Sequence, residues 1–165
     1  MKSTTKIGFG DPKFKIAVYF EHRPPIERYL AQTELTPLTK GELNFILANT
    51  SNNWRKIFNC FAKLCFAIEP NNCKTWQLLR DTQLLSENQN FALLFSTPDF
   101  SKSATIHIIS GRTYAAKLNF PFELTWLSPH FAINQKHKLI VAPYFDYRQL
   151  SNERLDTLVK LIKGF

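Results

Sequence analysis

Three short stretches of the chain gather the side chains that can do chemistry. Glu21-His22-Arg23-Pro24-Pro25 places an acid, an imidazole and a guanidinium in succession at the end of an apolar run. Glu21 could serve as a general base or water-positioning carboxylate, His22 could polarise a carbonyl, and Arg23 could meet a phosphate. The same residues also suit a solvated loop in which Glu21 pairs with Arg23, worth little. Ser110-Gly111-Arg112-Thr113 could offer backbone N–H groups and the Arg112 cation to a phosphate at a helix start. An ordinary strand-to-helix turn, with glycine for backbone freedom, reads the same way. The third stretch, Tyr144-Phe145-Asp146-Tyr147-Arg148-Gln149, sets aromatic rings beside a guanidinium. That combination suits stacking on nucleobases and pairing with phosphate. The alternative buries Phe145 and one tyrosine under a sheet while Asp146 pairs with Arg148.

The segments around these stretches decide whether they can meet. Lys15–Phe20, Phe91–Phe95, Thr105–Ile109 and Leu139–Ala142 are short, nearly continuous apolar runs, as expected of strands buried on both faces. Leu124–Leu127 reads as one further strand. Helical spacing appears between them. A short helix opens at Pro24 or Pro25 and runs through Ala31, and another begins at Thr39-Lys40-Gly41-Glu42. Ser51 or Asn52 caps a strong amphipathic helix with Trp54, Ile57, Phe58, Phe61, Leu64, Cys65 and Ile68 on its buried stripe, stopped by Pro70. A helix follows from about Cys73 to Ser86, another through Leu118, and a last one after Ser151 carries Leu155, Leu158, Val159 and Ile162. Residues 1–14, with Gly8, Gly10 and Pro12, read as loop and turn. Strands alternating with helices predict an α/β domain with a mostly parallel sheet and helices on both faces. Ligands in such sheets bind where loops leave the carboxyl ends of the strands, which is where the three chemical stretches fall.

Size and composition bound the rest. At 165 residues, with 44% hydrophobic and 21% charged residues, the chain fits one soluble globular domain over residues 1–165. No apolar run approaches the ~18 residues of a membrane span, and the first residues lack a secretory apolar core, so no membrane association is expected. Cys60, Cys65 and Cys73 show no Cys-x-x-Cys spacing. This argues against a disulfide framework or a zinc site and for reduced thiols in the cytoplasm. His107, inside an apolar strand, reads as a core residue, while His130 and His137 read as exposed. No HExxH, GxSxG, phosphate-binding loop or dinucleotide fingerprint occurs, so no metal or cofactor is expected. The net charge of +8 attracts polyanions, DNA or another nucleic acid first among them, although no run of five basic residues occurs.

The order of the elements resembles the uracil-DNA glycosylase superfamily, and most closely its small mismatch-specific branch. The first strand KIAVYF leads into a proline-containing loop carrying an acid. Asn52-Asn53-Trp54-Arg55-Lys56-Ile57-Phe58 is similar to the family's Asn-Arg-Phe-Trp-Lys helix start. HIISGRTYAAKL resembles its strand-Gly-Lys-x-Ala turn, and LIVAPYFDYRQLSNERLDTLVKLI resembles its last strand, loop and terminal helix. These segments cover about half of the chain. The resemblance implies a three-layer α/β/α sandwich around a short, mostly parallel four-stranded sheet.

It also implies a pocket for a flipped base. In that pocket Glu21 and His22 stand at the reacting centre. Tyr144, Phe145, Asp146, Tyr147 and Asn52 contact the base, and Arg23, Arg112 and Arg148 hold phosphates. The departures fall in the chemistry. Phe20 replaces the glycine of the family's first loop, and Tyr144-Phe145-Asp146 stands where Asn-Pro-Ser or His-Pro-Ser is usual. Three classes therefore stay open: a DNA-base N-glycosidase-like hydrolase, a catalytically inactive module binding nucleic acid or a nucleotide, and a protein-interaction domain.

Overall fold

The computed structural model describes residues 5–101 and 104–165. Residues 1–4, part of the stretch read as loop, lie outside them. The elements are β1 (Gly8–Phe9), β2 (Ile16–Tyr19), α1 (Glu27–Leu30), β3 (Leu35–Thr36), α2 (Glu42–Ala48), α3 (Asn52–Ile68) and α4 (Trp76–Thr82). Then come β4 (Phe91–Leu94), β5 (Ile106–Ser110), α5 (Arg112–Lys117), β6 (Thr125–Trp126), β7 (Ala132–Asn134), β8 (Leu139–Ala142) and α6 (Asn152–Lys163).

The expected mixture of helices and strands is present, but among the described residues the sheet has eight strands in the order β3-β1-β4-β2-β5-β8-β7-β6, not four. Four of them form the centre. β4, β2, β5 and β8 are mutually parallel and come from the four most apolar runs. The additional strands are two or three residues long and lie outside that centre, where pairing rather than hydrophobic pattern defines them. β1 is antiparallel to β4 and parallel to β3, so Gly8-Phe9 is strand rather than turn. A Cβ at Gly8 would fall 2.0 Å from the Leu93 carbonyl oxygen, so the close pairing of β1 with β4 requires glycine there. The Leu124–Leu127 stretch supplies β6, an edge strand antiparallel to β7.

Each face of the sheet carries its own core. On one, Val18, Leu93, Ile108 and Ile140 meet the buried sides of α1, α2, α3, α4 and α6. α3 presents Trp54, Ile57, Phe58, Phe61, Leu64 and Cys65 to this core at the spacing its sequence shows. Ser51 caps α3 by position, and Ser151 caps α6 by accepting a hydrogen bond from the Arg154 N–H. α4 is shorter than the spacing suggests, beginning after Thr75, whose side chain accepts from the Leu78 N–H. On the other face Ala17, Ala92 and Ala132 leave room for Phe14, Tyr19 and Leu139 beneath α5 and the aromatic segment through Phe120 and Phe122. Among the described residues that layer holds one six-residue helix, a thinner cover than the helices opposite.

His107 belongs to this second core. Its Nδ1 shares a 2.7 Å hydrogen bond with the Tyr19 hydroxyl, and its Nε2 is buried without a partner. Burial holds the imidazole neutral, lowering its pKa to about 4. Among the described residues no helix is long and apolar enough to cross a membrane.

Candidate functional site

β2, β5 and β8 are neighbours running in the same direction, so their carboxyl ends open on the same side. A cleft of about 370 Å³ lies there, lined by Phe20, Glu21, His22, Ser110, Gly111, Arg112, Thr113, Tyr114, Tyr144 and Gln149. All three chemical stretches contribute to it.

Its floor is fixed by backbone demands. Gly111 adopts φ +101°, which suits glycine, and its N–H donates to the Ala142 carbonyl at 2.9 Å. A Cβ at Gly111 would meet Tyr144 Cδ2 at an ordinary contact distance of 3.6 Å, so the positive φ alone calls for glycine there. The Ser110 hydroxyl accepts a buried hydrogen bond from the Phe145 N–H at 3.1 Å, tying β5 to the loop after β8. Tyr144 forms a half-buried wall. Its ring stands edge-on to Phe20, and its hydroxyl accepts from Asn53 Nδ2 at 3.2 Å.

The charged rim is paired in a way the sequence does not suggest. Glu21 Oε1 accepts a 2.6 Å hydrogen bond from Lys117 Nζ, while His22 Nε2 lies 3.3 Å from Glu21 Oε2. The ammonium beside it holds the Glu21 carboxyl below the usual carboxylate range. Glu21 is therefore an ionised acceptor, able to orient a water or receive an N–H from a ligand edge. The mostly exposed His22 sits at the mouth. Arg112 begins α5, with its guanidinium 4.8 Å from the Trp126 ring centroid and donating to the Pro129 carbonyl at 3.3 Å. Burial raises the Tyr114 pKa, so its phenol stays protonated near neutral pH.

The other expected site residues lie elsewhere. Arg23 Nη1 donates to the carbonyls of Tyr29, Leu30 and Gln32 at 2.8 to 3.0 Å. It closes the carboxyl end of α1, which corrects its reading as a phosphate contact. Phe145 is fully buried, edge-on to Phe20 and packed on Phe61, so it is a core residue rather than a stacking surface. Asp146 turns away from the cleft and is buried. Its Oδ1 accepts from the Arg148 N–H and its Oδ2 from Arg148 Nη2 at 2.8 Å, with Lys56 Nζ 3.7 Å away. The Arg148 hydrogen bond is the main reason its pKa falls to about 2. Arg148 is thus held by a carboxylate, while Tyr147 is exposed outside the cleft with Lys56 over its ring. Asn52 is exposed at the start of α3, and its neighbour Asn53 is the one that touches the cleft wall.

Three residues escaped the sequence reading: Tyr114, Lys117 and Asn53. Tyr114 and Lys117 follow Arg112 on the same short helix, so the helix start was the available signal. Among the described residues no group of three or more His, Cys, Asp or Glu side chains is placed to hold a metal ion. The cleft can hold a planar ring against Tyr144 and Tyr114, offer an acceptor at Glu21, and meet an anion with Arg112.

Neither a search of curated protein sequences nor a search of solved structures returns a match. Residues 7–163 match the profile of a family of unknown function, DUF6942, and the chain belongs to that family.

Proposed function

We propose that the cleft at the carboxyl ends of β2, β5 and β8 binds a base of a nucleic acid or nucleotide, in a domain built like the uracil-DNA glycosylases. The observation that carries this reading is the meeting of Tyr144, Glu21 and Arg112 around one ring-sized hollow. A ring slides against Tyr144, its N–H edge faces the Glu21 carboxylate, and its phosphate faces Arg112. The net charge of +8 supports a polyanionic partner. The three free cysteines fit a reducing compartment such as the cytoplasm.

Hydrolysis of the N-glycosidic bond is the second reading, favoured by one observation: Glu21 lies on the cleft wall rather than in the bulk surface. Its tight pairing with Lys117 lowers its basicity and offsets its charge, which favours binding over cleavage.

Oligonucleotides containing uracil, hypoxanthine or a mismatch, read for abasic sites with Glu21→Gln as control, separate the two. Product from the wild type and none from the variant assigns hydrolysis. Binding without product assigns recognition alone. A salt titration tests the nucleic-acid reading itself. Contacts to about five phosphates give a log–log slope of roughly −4, and a flat response would remove nucleic acid as the partner.

A further inference from the structure

Building on the nucleobase reading of the cleft, we propose that the ligand is single-stranded nucleic acid. The tip of the β6–β7 hairpin then carries a second stacking position for the next nucleotide.

Arg112 separates two hollows. On one side is the cleft. On the other is a shallow depression of about 410 Å³ lined by Arg112, Trp126, Leu127, Ser128 and Pro129. Trp126 lies on the outermost strand, 44% exposed, and Leu127 beside it is 52% exposed. A tryptophan this open on a sheet edge is not needed by either core. The Ser128 hydroxyl accepts from the N–H groups of His130 and Phe131, and the Leu127 N–H donates to the Phe131 carbonyl, so the tip is a built turn.

The Arg112 guanidinium stacks on Trp126 and donates to the Pro129 carbonyl, which fixes its place while leaving other N–H donors for an anion. Glu21, the carboxylate on the cleft wall, is neutralised by Lys117, so the boundary between the hollows is net cationic.

The sequence of surfaces is ring, cation, ring: Tyr144, Arg112, Trp126. Two successive nucleotides of a single strand present the complementary series of base, phosphate, base. A free base leaves Trp126 without an occupant. A closed duplex keeps its base faces stacked within the helix and cannot give one to each ring. The partner that matches both hollows and the charge between them is therefore an unpaired strand.

The test compares fluorescein-labelled single-stranded dT8, by anisotropy, with thymidine 5′-monophosphate, by competition. The wild type is expected to bind dT8 at least tenfold more tightly than the mononucleotide. Trp126→Ala should reduce that ratio on the order of tenfold, and Trp126→Phe, which keeps a ring, should retain most of it. Tyr144→Ala should weaken both probes.

If both probes bind and the ratio is unchanged in Trp126→Ala, the second stacking position is wrong and the nucleobase reading stands. Equal affinity for dT8 and a blunt duplex also overturns the inference. If neither probe binds the wild type, the inference and the nucleobase reading fall together. A folding defect in Trp126→Ala would weaken thymidine 5′-monophosphate as well, so unchanged mononucleotide affinity in that variant separates loss of the stacking position from loss of the fold.

Discussion

Replacing Asp146 by asparagine tests whether a buried carboxylate pins the loop that carries Tyr144. Asparagine keeps the shape and can still accept the Arg148 N–H through Oδ1, so the change removes the charge together with the Oδ2 acceptor that holds the guanidinium. The fall of the Asp146 pKa from 3.8 to about 2 would correspond to about 2.5 kcal/mol at most. Arg148 is 66% exposed, so solvent screening reduces the expected loss to about 1 kcal/mol. The sign follows from the depressed pKa. The stabilisation is complete above the unfolded value near 4 and is lost as pH falls through about 2. Urea unfolding followed by tryptophan fluorescence at pH 7, 4 and 2.5 gives the difference between wild type and Asp146→Asn. The gap should be about 1 kcal/mol at pH 7 and should narrow towards zero in acid. A variant as stable as the wild type at pH 7, or a gap that ignores pH, would refute the claim that this ion pair anchors the loop.

Phe145→Ala should cost about 3–5 kcal/mol in urea unfolding, because it empties a fully buried ring site; a loss below 1 kcal/mol would contradict that placement. Arg23→Ala should lower the thermal midpoint, since three carbonyls at the end of α1 lose their donor, while the salt slope of nucleic-acid binding stays as in the wild type. His107 should remain neutral down to about pH 4. The stability that depends on its neutral form is then complete above 6.5 and lost as pH falls through about 4. A nitrogen-15 NMR titration showing the ring charging near its ordinary pKa would disprove this.

What could be read from the chain depended on how local the signal was. Ile16–Tyr19, Phe91–Leu94, Ile106–Ser110 and Leu139–Ala142 announce themselves because both of their faces are buried, and a nearly continuous apolar run has few other uses. The stripe of α3 and the Ser151 cap of α6 are similarly local. β1 was hidden because its glycine looks like a turn, and the reason for that glycine is the Leu93 carbonyl, far along the chain. β7 and β3 are too short to show a period. The same contrast runs through the site. That the three loops leave strand ends was legible, but that β2, β5 and β8 are neighbours, and where each side chain points, was not. Phe145 and Tyr144 are adjacent, yet one faces the core and the other the cleft. The pairing of Glu21 with Lys117 links residues with nothing in their local sequence to join them.

The position of β2 has a kinetic consequence. Ile16 pairs with Phe91 on one side and Ile106 on the other, so the middle of the sheet is completed by segments made long after it. During synthesis an early apolar strand waits with both hydrogen-bonding edges open, and loop closure must precede any reward from pairing. The chain should fold slowly for its length, and a nascent chain halted before Ile106 should be prone to clump, because the strand that shields β2 has not yet been made.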